Sequence, residues 1–252
     1  MCYFDLPIIK VASVDSSDWF LIEKIAETMR PVIVSTGGTA LEDIDRLVDF
    51  FDTQNIPLAI NHCIASYPAE DYELELNQID FLMNRYPNNV IGYSSHEQFD
   101  WSSSLLIAYA KGVRLFERHI DIGLGISPYS SLPNQIDEWF KAYKKAKTMC
   151  GEVDNSRKTF SEKEREYLDS HLRGIYAARD IDCGYILSKE DIYLAIPLQK
   201  GQLSTREISL NRKGLKLIKP CKKDAPLTID MVEAEYLFDE TQKKYIENRG
   251  LK

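Results

Sequence analysis

The chain contains 252 residues, of which 44% are hydrophobic and 28% charged, a composition typical of a folded globular protein rather than a disordered or fibrous one. Its formal net charge of −8 argues against a broad nucleic-acid-binding surface, although a local basic pocket for one small anion remains open. The sequence has no run of about 18 apolar residues, so it predicts no membrane span. Residues 1–7 lack the features of a secretory signal, and we therefore expect a cytoplasmic protein.

Residues 1–150 repeat a short β-branched run followed by an amphipathic stretch, which predicts alternating strands and helices. The predicted strands are Ile8–Ala12, Val32–Ser35, Leu58–His62, Val90–Ser94 and Arg114–His119. The predicted helices are Ser17–Met29, Thr39–Phe51, Tyr72–Tyr86, Trp101–Ala110 and Ile136–Met149. Thr39 with Glu42 predicts a capping box at the start of the second helix. The spacing of the strands favours five parallel β/α units over helix-free hairpins.

Beyond residue 150 the pattern changes. Residues 151–162 are polar and aperiodic, which predicts a linker. Short apolar runs separated by turn residues predict a small β-rich second domain over 163–235. Residues 236–252 are charged and favour a helical tail, whose end we expect to fray.

Five cysteines lie at positions 2, 63, 150, 183 and 221, and none of them forms a C-x-x-C pair. An odd number without such a pair argues against a disulfide framework and against a zinc site made of cysteines. We therefore expect reduced thiols, as is usual inside cells.

Polar residues follow every predicted strand of the first domain. They are Lys10 with Ser13 and Asp15, Ser35-Thr36-Gly37-Gly38, His62-Cys63 with Tyr67, Ser94-Ser95-His96, and Glu117-Arg118-His119. Active sites of parallel β/α folds lie at the carboxyl ends of the strands. Three of the four histidines of the chain lie at such ends, so we expect one shared pocket.

Each of these features has a structural and a functional interpretation. Lys10 is either a terminal lysine that reaches water or, with nearby hydroxyls, an anion site. The turn at Ser35–Gly38 is either a plain connection or a source of backbone donors for an anion at the start of a helix. His96 and His119, one β/α unit apart, are either ordinary hydrogen-bonded histidines or ligands of a divalent cation. We interpret His62 as part of the pocket wall.

The order and spacing of several motifs resemble the sialic acid synthase family, whose enzymes condense phosphoenolpyruvate with N-acetylmannosamine or a related amino sugar. The motifs are Lys10-Val11-Ala12-Ser13, Pro31-Val32-Ile33-Val34-Ser35-Thr36-Gly37-Gly38, His62-Cys63 with Tyr67-Pro68, Gly92-Tyr93-Ser94-Ser95-His96 and Glu117-Arg118-His119. The second domain, with Arg173–Ile181 and Lys222–Thr228, is similar to the antifreeze-like (SAF, β-clip) domain of that family.

The resemblance implies an α/β fold, namely a partial TIM-type (β/α) barrel of about five β/α units followed by the SAF domain. It also implies roles for particular residues. Substrate phosphate and carboxylate would be held by Lys10, Ser13, Ser35, Tyr67 and Ser94. Manganese or magnesium would be bound by His96 and His119, and the catalytic carboxylates would be Asp15 and Glu117.

The sequence also departs from the family pattern. Asp15 stands where the family has glutamate, Ser95 interrupts a Ser-Asp-His pattern, and Ile196 stands at the position of a sugar-binding arginine of the SAF domain. The segment Ser127–Ser131 replaces a Pro-Asp-His motif. The resemblance begins at the fourth strand of an eight-stranded barrel. We therefore expect either a homodimer that exchanges SAF domains or a partner chain that completes the barrel.

Two other interpretations stay open at this point. One is a noncatalytic sugar- or phosphate-binding scaffold with a degenerate site. The other sets the resemblance aside and treats the five units as an open doubly wound sheet that binds a phosphorylated metabolite.

Overall fold

The computed structural model describes residues 5–125, 127–152, 156–210, 213–234 and 239–251. The chain divides into two compact units, residues 1–154 and 155–252. Several parts of the sequence interpretation lie outside the described residues: Cys2 and the start of residues 1–7, positions 153–155 of the expected linker, and positions 236–238 and 252 of the expected tail.

Strands and helices alternate through the first unit. They are β1 (Ile9–Val11), α1 (Trp19–Ala26), β2 (Val32–Ser35), α2 (Leu41–Thr53), β3 (Leu58–Cys63), α3 (Asn77–Arg85), β4 (Val90–Ser95), α4 (Ser103–Ala110), β5 (Leu115–Arg118) and α5 (Pro133–Cys150). The largest difference from the sequence pattern is at α3. The predicted helix starts at Tyr72, but a separate 3₁₀ turn over Asp71–Glu73 precedes α3, which begins at Asn77.

The five strands form one parallel sheet in the order β1-β2-β3-β4-β5. Connections between parallel strands are almost always right-handed, so a strand order that never reverses places all connecting helices on the same face. A doubly wound sheet needs a reversal of strand order. The first unit is therefore a parallel α/β half-barrel, and the open doubly wound interpretation is wrong.

The core of the first unit lies between the sheet and its helices. Alternate strand residues such as Val11, Val34 and Ile60 pack with Ile22 of α1 and Phe51 of α2, and all five are nearly inaccessible to solvent. Fully burying such a side chain stabilises a fold by about 1.5–3 kcal/mol. This packing commits one face of the sheet to the helices and leaves the opposite face for other contacts.

The capping box expected at Thr39 and Glu42 is wrong. Helix α2 follows Ala40, which cannot cap it through its side chain. The hydroxyls of Thr39 and Ser16 instead share a hydrogen bond of 3.1 Å. Thr39 therefore links the turn after β2 to the turn after β1.

The second unit consists of short elements. They are α6 (Glu162–His171), β6 (Gly174–Ala177), β7 (Ile192–Ala195), α7 (Thr205–Leu210), β8 (Lys216–Leu217), β9 (Val232–Glu233) and α8 (Glu240–Asn248). Strands β6 and β7 pair antiparallel, as do β8 and β9. The apolar run at Tyr185–Leu187 forms no strand; Ile186 makes one isolated bridge to Lys216. Buried aliphatic side chains such as Ile175 and Leu217 form the core of this unit.

Residues 239–251 pack against the rest of the second unit, whereas the sequence predicted that the end of the tail would fray. Ile246 of α8 is buried in the core of the second unit, and Leu251 pairs with Gln199 in a bridge. The buried Arg249 guanidinium donates to the Glu207 carboxylate, with an Nη1–Oε1 distance of 2.9 Å. Removing one partner of such a buried pair costs roughly 3–5 kcal/mol. The ion pair therefore anchors the region after α8.

The cysteines that the structure describes, at positions 63, 150, 183 and 221, are all free thiols. Among the described residues, no helix has both the length and the apolar character needed to cross a lipid bilayer.

Candidate active site

The side chains assigned to the site lie mainly on the face of the sheet opposite the helices. Successive side chains of a strand point to opposite faces. Strand pairing aligns Ser35 with Asn61, and it aligns Ser94 with both Cys63 and Glu117. The residues that directly precede Ser35, Asn61, Ser94 and Glu117 pack in the core under the helices; they are Val34, Ile60, Tyr93 and Phe116. The carboxyl ends of β2 to β5 therefore present polar groups on one surface.

Lys10 and Glu117 come together across the half-barrel, from the first strand to the fifth. The Lys10 ammonium lies 3.4 Å from Glu117 Oε2, and both side chains are about one-third exposed. Lys10 also donates to the carbonyl of Val11 at 3.0 Å. Asn61 of β3 donates to the same Glu117 oxygen at 3.1 Å. Glu117 is thus held by an ion pair from β1 and a hydrogen bond from β3.

Gly92 of β4 makes room for Asn61. A Cβ at position 92 would lie 2.0 Å from Asn61 Oδ1 and 2.8 Å from Leu115 Cδ2. The Asn61 side chain is fully buried, so it has little freedom to move away. The placement of Asn61 against Glu117 therefore depends on a glycine in the neighbouring strand. The sequence interpretation did not include Asn61. Its position directly before His62-Cys63, at the end of a predicted strand, could have marked it as a site residue.

A cluster of four rings lies at the ends of β4 and β5. The ring centroids of His96 and His119 are 5.2 Å apart. Tyr67 packs on His96 at 4.3 Å and on Tyr129 at 4.9 Å, and Tyr129 contacts His119 at 5.1 Å. Tyr129 was quoted in the sequence only as part of a departure from the family pattern, yet it completes this cluster.

His96 is held in the form that binds metals. It is buried, and its Nδ1 lies 3.1 Å from the carbonyl of Ile64. A carbonyl only accepts, so Nδ1 donates and Nε2 keeps its lone pair. Burial is the main cause that lowers the pKa of His96 to about 4; the hydrogen bond with Ile64 acts in the opposite direction, and electrostatic interactions with Arg118 and Lys10 add to the lowering. The imidazole is therefore neutral at physiological pH.

Tyr67 stays a neutral phenol. Burial raises its pKa above the ordinary value, and the neighbouring Cys63, Tyr129 and Glu117 add to this effect. A neutral phenol can donate its proton to an oxygen of a bound ligand. The influence of Glu117 on Tyr67 also links the ring cluster to the Lys10–Glu117 pair.

The remaining residues assigned from the sequence differ in how well the structure connects them. The Ser13 hydroxyl accepts a 3.0 Å hydrogen bond from the amide of Gly37, which joins the first two strand ends. The buried hydroxyl of Ser35 has no hydrogen-bond partner within the described part of the chain. Ser94 is also buried. The side chain of Asp15 forms no hydrogen bond or ion pair with any residue that the structure describes.

His62 is not part of this pocket, contrary to the sequence interpretation. It pairs in register with Tyr93, a core residue under the helices, and the two rings stack at 6.0 Å. Its Nε2 lies 2.8 Å from the carbonyl of Leu74. Because side chains alternate along β3, His62 points away from the face that bears Asn61 and Cys63. Only two of the three strand-end histidines converge.

The buried Arg118 lies on the face of the sheet that packs against the helices and forms hydrogen bonds close to the site residues. The Arg118 guanidinium donates to Ser95 at 3.0 Å and to Ser131 at 2.6 Å. It also forms an ion pair of 3.4 Å with Glu97, and both side chains are almost completely buried. This network ties the residues on either side of His96 to the strand that precedes His119. The sequence showed the charge of Arg118 but not the face to which it points.

Among the residues that the structure describes, no group of three or more His, Cys, Asp or Glu side chains is placed to hold a metal ion. His96 still fits the role of a cation ligand, because its neutral imidazole keeps a free lone pair on Nε2 and the ring of His119 lies next to it. Two protein ligands alone would leave the remaining positions to water, substrate or other residues.

The chain was compared with known proteins and solved structures. The model of the NeuB family matches residues 1–155. A putative spore coat polysaccharide biosynthesis protein E from Chromobacterium violaceum has a similar structure, with a TM-score of 0.82 and 36% identity over 90% of this chain and 68% of that one.

Curated relatives are similar over smaller shares of their length. N-acetylneuraminate-9-phosphate synthase of Drosophila melanogaster is 32% identical over 47% of this chain and 32% of its own. Pseudaminic acid synthase of Campylobacter jejuni is 29% identical over 75% of this chain and 54% of its own. The chain therefore spans less than two thirds of these relatives.

The contact between positions 92 and 61 gives a testable prediction. Gly92→Ala should lower the free energy of unfolding by about 1–3 kcal/mol, because the added methyl displaces buried Asn61. In an Asn61→Ala background the same change should cost clearly less, since the closest clashing atom is gone. Urea unfolding of the four proteins of this cycle measures the coupling. Additive costs would show that Asn61 does not constrain position 92.

Proposed function

Because the chain belongs to the NeuB family, we propose that it supplies the C-terminal part of a synthase for nonulosonic acids. The reaction is the condensation of phosphoenolpyruvate with N-acetylmannosamine or a related amino sugar. The names of the Drosophila and Campylobacter relatives support this class of product. The observation that carries the proposal is the convergence of Lys10, Glu117 and the His96–His119 pair at the strand ends.

Lys10 is the proposed main contact for the anionic groups of phosphoenolpyruvate. Its ammonium has three donors. One donates to the carbonyl of Val11, and the ammonium also forms an ion pair with Glu117, which leaves donor capacity for a ligand oxygen. The unpartnered hydroxyl of Ser35 supports an acceptor at the same surface. We assign Ser13, Tyr67 and Ser94 to the same anion-binding group.

In the proposed reaction the enol carbon attacks the sugar aldehyde and leaves a cationic centre. Water then adds to this centre, and phosphate leaves last. A carboxylate is needed to take the proton of that water. We assign the orientation and deprotonation of this water to Glu117, which Lys10 and Asn61 hold in place. Asp15 is the second proposed carboxylate. Its freedom from partners among the described residues leaves it available to substrate, although its side chain is one methylene shorter than the glutamate of the family pattern.

A divalent cation, manganese or magnesium, is proposed to bind His96 and His119. When bound, it would supply Lewis-acid polarisation of the sugar aldehyde oxygen. The contribution of the chain is to keep His96 neutral and oriented through the carbonyl of Ile64. The rings of Tyr67 and Tyr129 pack against His96 and His119.

The second unit is proposed to be an SAF domain over residues 163–235, preceded by a linker at 151–162. The support is the sequence similarity at Arg173–Ile181 together with the short antiparallel pairs β6–β7 and β8–β9. A cytoplasmic location fits the use of phosphoenolpyruvate and the free thiols of the described cysteines. A noncatalytic binding protein with a degenerate site is the outcome if substrate binds but no product forms.

Assembly follows from the open sheet. Among the described strands, β1 pairs only with β2 and β5 only with β4, whereas a closed barrel of this type has about eight strands. Exposed edges of this kind favour pairing with another chain. We propose a homodimer that exchanges SAF domains, or a partner chain that supplies the missing strands.

The proposed role of Lys10 predicts that Lys10→Ala weakens phosphoenolpyruvate binding by roughly tenfold or more, since a charge-assisted contact is worth about 1.5–3 kcal/mol. Calorimetric titration of the full chain measures the affinity. Lys141→Ala, which removes an exposed lysine of α5 in the same unit, is the matched control and should leave it unchanged. Equal affinity in Lys10→Ala would remove Lys10 from the site, and a wild-type chain that binds no phosphoenolpyruvate would contradict the proposed function.

The metal assignment predicts that manganese binds the wild-type chain and that His119→Ala abolishes this site. Electron paramagnetic resonance of free manganese reports the bound fraction. His171→Ala serves as the control because His171 is an exposed histidine of the second unit. Manganese binding that is the same in wild type and His119→Ala would show that the ion binds elsewhere.

The assembly proposal predicts that light scattering of the purified chain gives a mass above that of one 29.0 kDa chain, or that the chain co-purifies with a second polypeptide. The physical reason is the unpaired edges of β1 and β5. A well-behaved monomer at micromolar concentration without any partner would overturn both forms of the proposal.

A further inference from the structure

We propose that the second unit contains a binding site for the phosphate group of a small organic phosphate, separate from the site on the first unit. The site is a cavity of about 340 Å³, within the range of pockets that bind small molecules. Its lining includes His171, Arg173, Arg206 and Arg249, and no carboxylate among the residues that the structure describes.

The two exposed arginines of the cavity are not neutralised. Neither Arg173 nor Arg206 forms an ion pair with any described residue. The Arg206 guanidinium lies over the ring of Tyr245, 5.1 Å from its centroid. Stacking on an aromatic face holds a guanidinium in place but does not use its in-plane N–H donors. Arg206 is therefore positioned for an anion and still has its donors free.

The third arginine forms the buried part of the lining. Arg249 uses both terminal nitrogens, on Glu207 and on the carbonyl of Gln202. Its Nε is buried and has no hydrogen-bond partner in the described structure. Arg249 also stacks on Tyr245, at 5.4 Å. A buried donor without a partner beside a cavity is a group that a bound acceptor could satisfy, and Glu207 already balances the Arg249 charge.

These features favour phosphate over a carboxylate ligand. Guanidinium groups match the oxygens of phosphate through paired hydrogen bonds, and a doubly charged group gains more from several converging cations than a singly charged one. The cavity also has apolar walls, which Leu194 and the half-exposed Tyr245 supply. These walls provide a surface for the organic part of a phosphate ester.

The test is calorimetric titration of the full chain with three probes at constant ionic strength: inorganic phosphate, glucose 6-phosphate and glucose. We expect both phosphates to bind, and glucose not to bind. Arg173→Gln and Arg206→Gln should each weaken binding by about tenfold. Arg157→Gln, which removes an exposed arginine of the same unit outside the cavity, is the matched control.

The probes also separate two sources of the phosphate group. Tighter binding of glucose 6-phosphate than of inorganic phosphate supports an ester whose organic part contacts the apolar walls. Equal binding supports a site for the phosphate group alone. Absence of binding by either phosphate, or unchanged affinity in both arginine variants, would overturn the proposal.

Lys10→Ala distinguishes this proposal from the proposed function. It should leave the affinity for glucose 6-phosphate unchanged, because Lys10 belongs to the first unit. If it removes that affinity, the phosphate binds at the strand ends of the first unit, and the second-unit site is wrong.

Both arginine variants alter exposed side chains, and an unchanged circular dichroism spectrum shows that each variant is folded.

Discussion

Parallel pairing of β1 to β5 in chain order is the constraint on which the first unit depends. It places every crossover helix on one face, and the alternation of side chains then divides each strand between two environments. Val34 and Ile60 pack under the helices, whereas Ser35 and Asn61, one position further along each strand, face the opposite side. The curl of the sheet brings Lys10 of β1 and Glu117 of β5, the two outer strands, into contact. The site is therefore a product of sheet topology as much as of its individual residues.

The hydrophobic period was sufficient to locate five strands and five helices, because burial of one face selects apolar residues at fixed spacing. The hydrophobic period could not show which face of the sheet the polar side chains at strand ends occupy. His62 follows the same kind of apolar run as His96, but one residue of register separates the helix side from the site side. The sequence did not predict the role of Asn61, because that role depends on the absence of a side chain at Gly92 in another strand. Thr39 likewise has a partner, Ser16, that local capping rules do not consider.

The charged residues of the two units show two uses of arginine and lysine. Arg118 and Arg249 are buried and matched by Glu97 and Glu207, so they cross-link segments and fix geometry. Lys10 keeps part of its donor capacity although it contacts a carboxylate. Charge by itself, which is all that a sequence displays, does not separate these uses. Burial and the number of satisfied donors do separate them.

The contacts of Ser131 have a consequence for how this fold can change. Ser131 accepts from Arg118 and Trp101 through its side chain, and its backbone pairs with His119 and Asp121. The two ends of the loop after β5 are thus held together where Ser131 pairs with His119 and Asp121. Tyr129 lies inside this closed loop and packs on His119, so the closure at Ser131 also limits where that ring can lie. Through Ser131, the strand β5, the segment that contains Trp101 and the loop with Tyr129 are therefore coupled, so a change in any one of them is transmitted to the rings around His119.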